Sequence, residues 1–581
     1  MFCSLRMAVA IAVVLSLTAG FPLLSAQQVQ SEVPPVTIRA NTRLVTVDVV
    51  VSDKKGQPIS GLKADDFMVE ESGKKQRVSV FLPPGGGQTP SAQLPPGIYS
   101  NRPEHLSPGG PLTVILVDAA NSPFSDQAYG RLQMLKYVEE QSESGRPMAV
   151  MTLTDQLHVL QQFTSDPQVL RTAIKNYKPQ AQAFAAATAP PISTAAGASA
   201  GTPGSAMSMA TDSAAAAIGN FQGIQVSYQL ERRTVVTIQA MHSLSRMLAG
   251  LPGRKTVIWL AAELPFDLIP EERNISEAEL LEALPSVKQK SVGTIASGSL
   301  AAEQRQLHGD DIRRAEAGLA SAGIAIYPVD LRGLMSGMEF MREDSANRRV
   351  VDSSGQATAR MSDASASQQT MREIAAETGG KAYVNQNEIK EGVALAVADE
   401  KASYTIGYYP ENKKWDGGYR SIKVKVARGD TEVRCRKGYF AIDTTQTKNR
   451  KDEQDVVTAL QVNAPATQIS FMAQTKPTGP GKVRFVFLVD AHTLSAEDSG
   501  GNKKMNVSLY AAVYGSDGKM LANRSIKVDR PFDAATYQQI LDKGMMVPID
   551  LDVPSSGKDV RLAVLDNKTG YIGTVGGPLG Q

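Results

Sequence analysis

From Val36 to Phe81 apolar and polar positions alternate with the period of a strand. The run "TRLVTVDVVVSD" carries Leu44, Val45, Val47, Val49 and Val51 and predicts one strand, closed by a turn at Gly56 and Pro58. Phe67 and Val69, then Val78, Val80 and Phe81, predict two more around Gly73. About three strands over residues 36–82 are too few for a closed sandwich, so this β unit needs partner strands from elsewhere in the chain. Residues 83–110 are rich in Gly, Pro, Ser and Gln and read as a linker.

From residue 111 to 402 the pattern becomes apolar runs separated by helical periods. "LTVILVD", ending at Asp118, precedes a helix from Gln127 to Glu140. "PMAVMTLTD" precedes a short helix, Pro167 to Tyr177, that Asp166 can cap. An amphipathic helix from Arg232 to Leu251 leads into "KTVIWLAAELP", and a helix from Gly309 to Ala322 leads into "GIAIYPVDL". A helix from Thr370 to Thr378, closed by Gly379 and Gly380, leads into a strand "KAYV". Strands apolar throughout, alternating with helices, predict an α/β fold: a Rossmann-like, mainly parallel sheet with helices on both faces. Three stretches interrupt it as insertions. Residues 179–223 are an Ala, Ser, Gly and Pro tract with too few large apolar side chains to order itself, and residues 269–298 and 333–369 are more charged.

Strand patterning returns over residues 403–441, in "SYTIGYYP", "YRSIKVKVARGD" and "EVRCRKGYF". That extension is also about three strands, and it is expected to pair with residues 36–82 as one composite sandwich into which the α/β unit is inserted. A charged linker, residues 442–455, leads to a C-terminal β-sandwich domain over 456–581, with a helical period only from Ala534 to Leu541.

Composition narrows the function classes. Sixty-one basic against 59 acidic side chains leave a formal charge of +2 with no long basic block, which argues against a nucleic-acid partner. Arg6, the apolar run Met7 to Leu17, then Gly20, Pro22, Ser25 and Ala26 read as a signal peptide over residues 1–26. The run is shorter than the roughly 20 residues a membrane span needs, so the mature chain is expected to have no transmembrane span and to be periplasmic, outer-surface or secreted. Cys435 is then the only mature cysteine, and no intrachain disulfide can form.

Four blocks in order carry a resemblance: "VxVxVxDxxGxPIxGLxxxDFxVxExGxxQ", the strand ending at Asp118 with "NSPFSDQ" after it, "LAGLPGRKTVIWL", and "YTIGYYP…DGGYRSIKVKV…VRCRKGYF". Over about residues 40 to 441 the chain resembles the exported proteins of acidobacterial type that contain a von Willebrand factor A domain. The resemblance implies an adhesion or binding module with a metal-ion-dependent adhesion site at the C-terminal edge of the sheet. There a D-x-S-x-S loop, a threonine and a second aspartate offer oxygens to Mg²⁺ or another divalent cation. In this chain the loop is Asp118-Ala119-Ala120-Asn121-Ser122, so Ala120 lacks one of the oxygens, although the Asn121 amide offers another. The threonine is Thr234 or Thr237, and the second aspartate falls near Ala261 or Ala262, beside Glu263. The site is degenerate. Either a weakened cation site survives on Asp118, Asn121, Ser122, Thr234 and Glu263, or Asp118 is a buried strand-end carboxylate satisfied by backbone amides or a neighbouring loop.

Other chemistry is sparse. His105, His158, His242, His308 and His492 show no metal-ligand spacing. Cys435 is either activated by Arg434, Arg436 and Lys437 or a core-facing strand residue. Tyr404, Tyr408, Tyr409, Tyr419, Tyr439 and Phe440 form either a binding strip or a β core. The chain therefore reads as a non-enzymatic binding protein with a protein ligand. Two alternatives are an exported hydrolase using carboxylates such as Asp155 and Asp330 at strand ends, and an architectural component of the cell envelope.

Overall fold

The computed structural model describes residues 44–84, 94–106, 111–140, 146–180, 228–265, 296–333, 353–386, 389–443, 452–462 and 464–579. The signal segment, nearly all of the tract 179–223, residues 269–295, and the first part of the 333–369 insertion lie outside the described residues. The strands, in chain order, open with β1 (Val45–Asp53), β2 (Phe67–Glu71), β3 (Lys74–Gln76), β4 (Val78–Leu82) and β5 (Ile98–Ser100). Next come β6 (Leu112–Asp118), β7 (Met148–Leu153), β8 (Leu157–Thr164), β9 (Lys255–Ala261) and β10 (Ile324–Asp330). β11 (Ser403–Tyr408), β12 (Tyr419–Val426), β13 (Thr431–Arg434) and β14 (Gly438–Phe440) follow. The last group is β15 (Phe471–Gly479), β16 (Lys482–Val489), β17 (Glu497–Ser499), β18 (Asn502–Gly515), β19 (Met520–Phe532), β20 (Met545–Asp552), β21 (Gly557–Asp566) and β22 (Ile572–Pro578).

The α/β unit is a sheet of order β10-β9-β6-β7-β8, parallel except for the antiparallel edge strand β8. Strands β6, β7, β9 and β10 are buried at every position because helices cover both faces. Val114 and Leu116 of β6 pack with helices 228–248, Ala296–Ser321 and Ser353–Thr378. Ile115 and Val117, one residue out of phase, pack with helices Phe124–Glu140, Pro167–Asn176 and Ile389–Asp399. Asp166 caps its helix by accepting from the Gln168 amide at 2.8 Å. The expected strand "KAYV" is reduced to a single bridge of Tyr383 to Val329, because the chain arrives there straight from a helix end. At that end Gly379 has φ +78, and a Cβ on Gly380 would sit 1.9 Å from the Ile326 carbonyl oxygen, so these glycines terminate a helix against a strand.

The two short β segments share their sheets. One sheet has the order β13-β1-β11-β4 and the other β14-β12-β2-β3. Val49 lies opposite Tyr404 and Val69 opposite Val424. Between the sheets Phe67, Phe81 and Tyr404 pack with centroids 5.2–5.8 Å apart. Tyr408, Tyr439 and Phe440 are buried as well, whereas Tyr409 is exposed, so the aromatic run is mainly core. Cys435 is half-buried, and burial pushes its thiol upward in pKa despite Arg436, the reverse of activation. Within this core the Glu71 carboxylate pairs with Arg420 at 3.3 Å and accepts from the hydroxyls of Tyr408 at 2.8 Å and Tyr439 at 2.9 Å.

The base of the parallel sheet is sewn to this sandwich. Buried Arg254 donates to the Tyr327 hydroxyl at 2.8 Å and to the Ser403 hydroxyl at 3.3 Å, and Tyr327 donates to Asp399 at 3.0 Å. Glu400 accepts from Thr113 at 2.8 Å and pairs with Arg146 at 3.1 Å, and Arg436 donates to the Thr46 carbonyl at 2.7 Å.

Two expected linkers are corrected. The segment 83–110 contains β5, which pairs with β15 in the C-terminal sheet β20-β16-β15-β5. Tyr99 donates to the Pro578 carbonyl, and buried Asn101 donates to the carbonyls of Ala466 and Ile469 while accepting from the Phe471 amide. Three strand residues amid Gly, Pro and Ser are too short a run to show as a strand in sequence. The segment 442–455 contains the start of helix Asp452–Gln461, whose acidic first turn suits the helix dipole and had the look of a charged spacer. The second C-terminal sheet runs β17-β18-β21-β22, with β19 also on β18. This sandwich docks on the end of helix 228–248: Thr467 donates its amide to the Arg246 carbonyl at 2.7 Å, and a Cβ on Gly250 would meet the Thr467 carbonyl at 2.1 Å. Among the described residues no helix is long and apolar enough to cross a membrane.

Removing Glu71 leaves the buried Arg420 guanidinium only the Asn412 and Lys414 carbonyls and the Tyr439 hydroxyl, and takes their carboxylate acceptor from two tyrosine hydroxyls. Glu71→Ala is expected to destabilise the composite sandwich by about 3–5 kcal/mol, and Glu71→Gln, which keeps an acceptor, by less. Trp415, whose ring lies 5.3 Å from the Arg420 guanidinium, reports this region in a fluorescence-monitored urea titration. A loss under about 1 kcal/mol for the alanine variant would mean that the ion pair contributes no more than a surface one.

Candidate functional site

Chain order locates the site. β7 adds to one side of β6, and after β8 the chain returns to place β9 on the other side, so the connections leaving β6 and β9 diverge. In open α/β sheets the crevice at such a reversal, beyond the carboxyl ends of the strands, is where ligands bind. The residues there are Asp118 at the end of β6, its loop to Pro123, and Ala261 to Glu263 after β9.

The two loops are joined. Ser122 Oγ accepts from the Ala262 amide at 2.9 Å, and the Glu263 amide donates to the Asn121 carbonyl at 3.2 Å. Asp118 is fully buried, with Oδ1 accepting from the Asn121 amide at 2.9 Å. Its Oδ2 accepts from Asn121 Nδ2 at 2.8 Å and from the Trp259 indole at 2.9 Å. Loss of water outweighs these donors and the nearby Arg233 charge, and pushes the carboxyl up to about 6. Asn121 is the hub: Nδ2 also donates to Thr237 Oγ1 at 2.9 Å, and Oδ1 accepts from Arg233 Nε at 2.9 Å. Arg233 Nη2 pairs with Glu263 Oε2 at 2.8 Å. The Arg233 side chain is 15% exposed and that of Glu263 48%, so the pair forms the outer rim of the cluster.

Below the rim, buried Gln127 donates to the Ser122 carbonyl at 2.8 Å and accepts from the Tyr177 hydroxyl at 2.7 Å, which fixes the loop against residues 177–180. Large aromatic side chains stand out at the same edge. Phe124 opens helix Phe124–Glu140 with 57% exposure, and Tyr228 opens helix 228–248 with 54%.

Asp118, Asn121, Ser122 and Glu263 are thus brought together. Thr234 is not part of the cluster's interior: its hydroxyl donates back to the Leu230 carbonyl at 2.8 Å and lies 3.5 Å from that of Pro265, while Thr237 faces Asn121. These residues do not fit a divalent ion. Mg²⁺ requires about six oxygens near 2.1 Å. Both Asp118 oxygens and the Asn121 amide oxygen are already occupied by N–H donors, and one of those donors carries a positive charge.

Asp155 and Asp330 lie on the same edge but are not a pair. Asp155 lies two residues beyond β7 and Asp330 ends β10, with β6 and β9 between, which at a strand spacing of about 4.8 Å separates the two strands by roughly 14 Å. Asp155 is exposed beside His158 at 3.1 Å. Asp330 is buried and its carboxylate is held by Arg332 Nε and Nη2 at 2.9 Å and by Gln368 at 3.0 Å.

Arg233, Trp259 and Gln127 were not legible as site residues from sequence. The signal available for Arg233 was a basic pair, Arg232 and Arg233, near the start of a helix, where the dipole disfavours cations unless an anion compensates.

No family model matches this chain, and no curated protein matches it. Among solved structures, an aerotolerance-related membrane protein from Bacteroides fragilis aligns at 12% identity over 50% of this chain and 100% of its own, with a TM-score of 0.23. A von Willebrand factor type A protein from Catenulispora acidiphila aligns at 8% identity over 94% of this chain and 75% of its own, with a TM-score of 0.19. The pilus adhesin SpaC from Lactobacillus rhamnosus GG aligns at 8% identity over 90% and 58%, with a TM-score of 0.22. Scores near 0.2 are too low to decide either fold or function.

The raised pKa of Asp118 gives a signed prediction. A carboxyl that titrates at about 6 when folded and at 3.8 when unfolded binds its proton more tightly in the folded state. Its contribution to stability therefore falls as pH rises through that window and is level above it. Relative to Asp118→Asn, the wild-type chain should lose on the order of 3 kcal/mol between pH 3.8 and about pH 6. Denaturant midpoints of both proteins across the window measure this, and parallel pH profiles would show that the carboxyl does not titrate there.

Proposed function

We propose that this chain is an exported binding protein that engages another protein at the carboxyl edge of its parallel sheet. The observation that carries the reading is the pair of exposed aromatics, Phe124 and Tyr228, on helices that start at the same edge as the ordered Arg233–Glu263 rim. Aromatic and arginine side chains on a rigid base are the residues that dominate protein–protein binding energy. The reversal of chain direction beside β6 marks the place where open α/β sheets bind their ligands. The apolar run from Met7 to Leu17 after Arg6 supports export. The reading is non-enzymatic: the carboxylates proposed as a hydrolytic pair stand apart, and Asp330 is neutralised by its own arginine.

A photo-cross-linking amino acid placed at position 124 or 228 of the full chain tests it. Both positions should capture the same protein from cell-envelope extract, and excess wild-type chain should compete while Phe124→Ser/Tyr228→Ser chain competes at least tenfold less well. The same probe at Met546, exposed on the C-terminal sandwich, should not capture it. Equal capture at all three positions would place the contact elsewhere or make it non-specific.

A further inference from the structure

We infer that the cation at this sheet edge is built into the chain: the Arg233 guanidinium stands in for the divalent ion that the Asp118 loop implies, and the edge works without metal. This rests on the binding reading above and assigns how that edge is held and what it depends on.

The argument follows the bonds outward from the sheet. Asp118 is buried and its two oxygens take three donors, two of them from Asn121. Asn121 can satisfy Asp118 only by turning its amide nitrogen inward, which turns its amide oxygen outward. That oxygen then needs a donor, and Arg233 Nε supplies it at 2.9 Å. The same guanidinium reaches across to Glu263 at 2.8 Å, on the loop that leaves β9. One planar cation thus links the loops on both sides of the crevice, which is the mechanical task a bridging ion would perform. The forked geometry of arginine suits it to hold two acceptors at once.

Sequence changes elsewhere in the loop agree with this assignment. Ala120 and Ala262 offer no oxygen, and Ser122 spends its hydroxyl on accepting the Ala262 amide. Thr234 turns back on its own helix. Asp126 is half-buried, and burial raises its carboxyl pKa against the influence of Ser125 and Arg332, with Asp330 and Glu263 adding to the rise. Two guanidinium groups, Arg233 and Arg332, therefore face Asp118, Asp126, Glu263 and Asp330, and a divalent ion seeking the Asn121 amide oxygen or Glu263 would have to displace Arg233 from it. A tethered guanidinium also keeps its charge at any accessible pH and cannot dissociate, so chelators and ion concentration have no hold on the edge.

The test uses the full chain with Mg²⁺, Mn²⁺ and Ca²⁺ as the probes. Calorimetric titration of wild type to millimolar ion should give no saturable heat, and its melting temperature should be the same in chelator as in each ion. Arg233→Ala should lower the melting temperature by several degrees, with Arg233→Lys between it and wild type, because lysine restores charge without the fork. Saturable cation binding to wild type that Asp118→Ala abolishes would overturn the inference, as would an Arg233→Ala chain as stable as wild type. Should Arg233→Ala fail to fold, the wild-type titration decides. The outcomes separate from those of the binding reading: cation binding would leave cross-linking at Phe124 and Tyr228 untouched, and loss of that cross-linking would leave the titration unchanged.

Discussion

Strand β1 lies between β11 and β13, with Val49 opposite Tyr404 and Val51 opposite Val433, so this sheet cannot form until distant parts of the chain meet. Loop-closure entropy rises only slowly with length, and the cost of the encounter is governed instead by how well the intervening chain is ordered. Here the intervening chain is the α/β unit, whose base presents Arg254, Tyr327 and Glu400 toward the sandwich. These groups are buried, so each must be satisfied by a specific partner: Arg254 reaches Ser403 at the start of β11, Tyr327 donates to Asp399, and Glu400 is held by Thr113 and Arg146. The Arg254–Ser403 bond ties the base of the parallel sheet to the start of β11, the strand that pairs with β1.

The two ends of the parallel sheet resolve the same problem differently. Its base is sealed by another domain and its buried charges are paired within the seam. At its carboxyl edge the fully buried Asp118 carboxylate is covered by a relay of one asparagine, one indole and one arginine. This puts a rigid, charged and partly exposed rim above a dry interior. A sheet of uniformly buried strands supplies the stiffness, since its side chains interlock with helices on both faces.

What sequence revealed of this molecule depended on the length of each signal. The runs "LTVILVD", "KTVIWLA" and "IAIYPVD" are long and wholly apolar and became β6, β9 and β10. The shortage of strands in each flanking β segment pointed to a shared sheet, and the structure has strands of both in the same two sheets. By contrast, β8 reads "LHVLQQFT", too polar to resemble a buried strand, because an edge strand needs only one dry face. β5 has only three residues, and its identity is set by the carbonyls it meets rather than by its own composition. At the site, the loop from Asp118 to Ser122 stood out only through the family resemblance, since its own residues lack part of the expected pattern. Arg233 did not, because its bonds to Asn121 and Glu263 join loops far apart in sequence. Asp155 and Asp330 were grouped since both end strands, but strand order, which sets them apart, is a long-range property that local pattern does not encode.

β5 enters the C-terminal sandwich from a segment that precedes the α/β unit, while β11 to β14 complete a sandwich begun before it. Two of the three structural units are therefore finished by chain from outside their own stretch of sequence, and the units are interlaced like braided cords rather than threaded like beads. An interlaced chain cannot be shuffled as cassettes: a gene segment beginning at residue 456 would carry a C-terminal sheet with one border strand missing, and its Phe471 amide would lose the Asn101 oxygen it donates to. It also responds to tension as a whole. A pull on the C-terminal sandwich is passed through β5 to the segment ahead of β6 as well as through the segment that leads into helix Asp452–Gln461, so the load divides between two covalent routes before it reaches the parallel sheet.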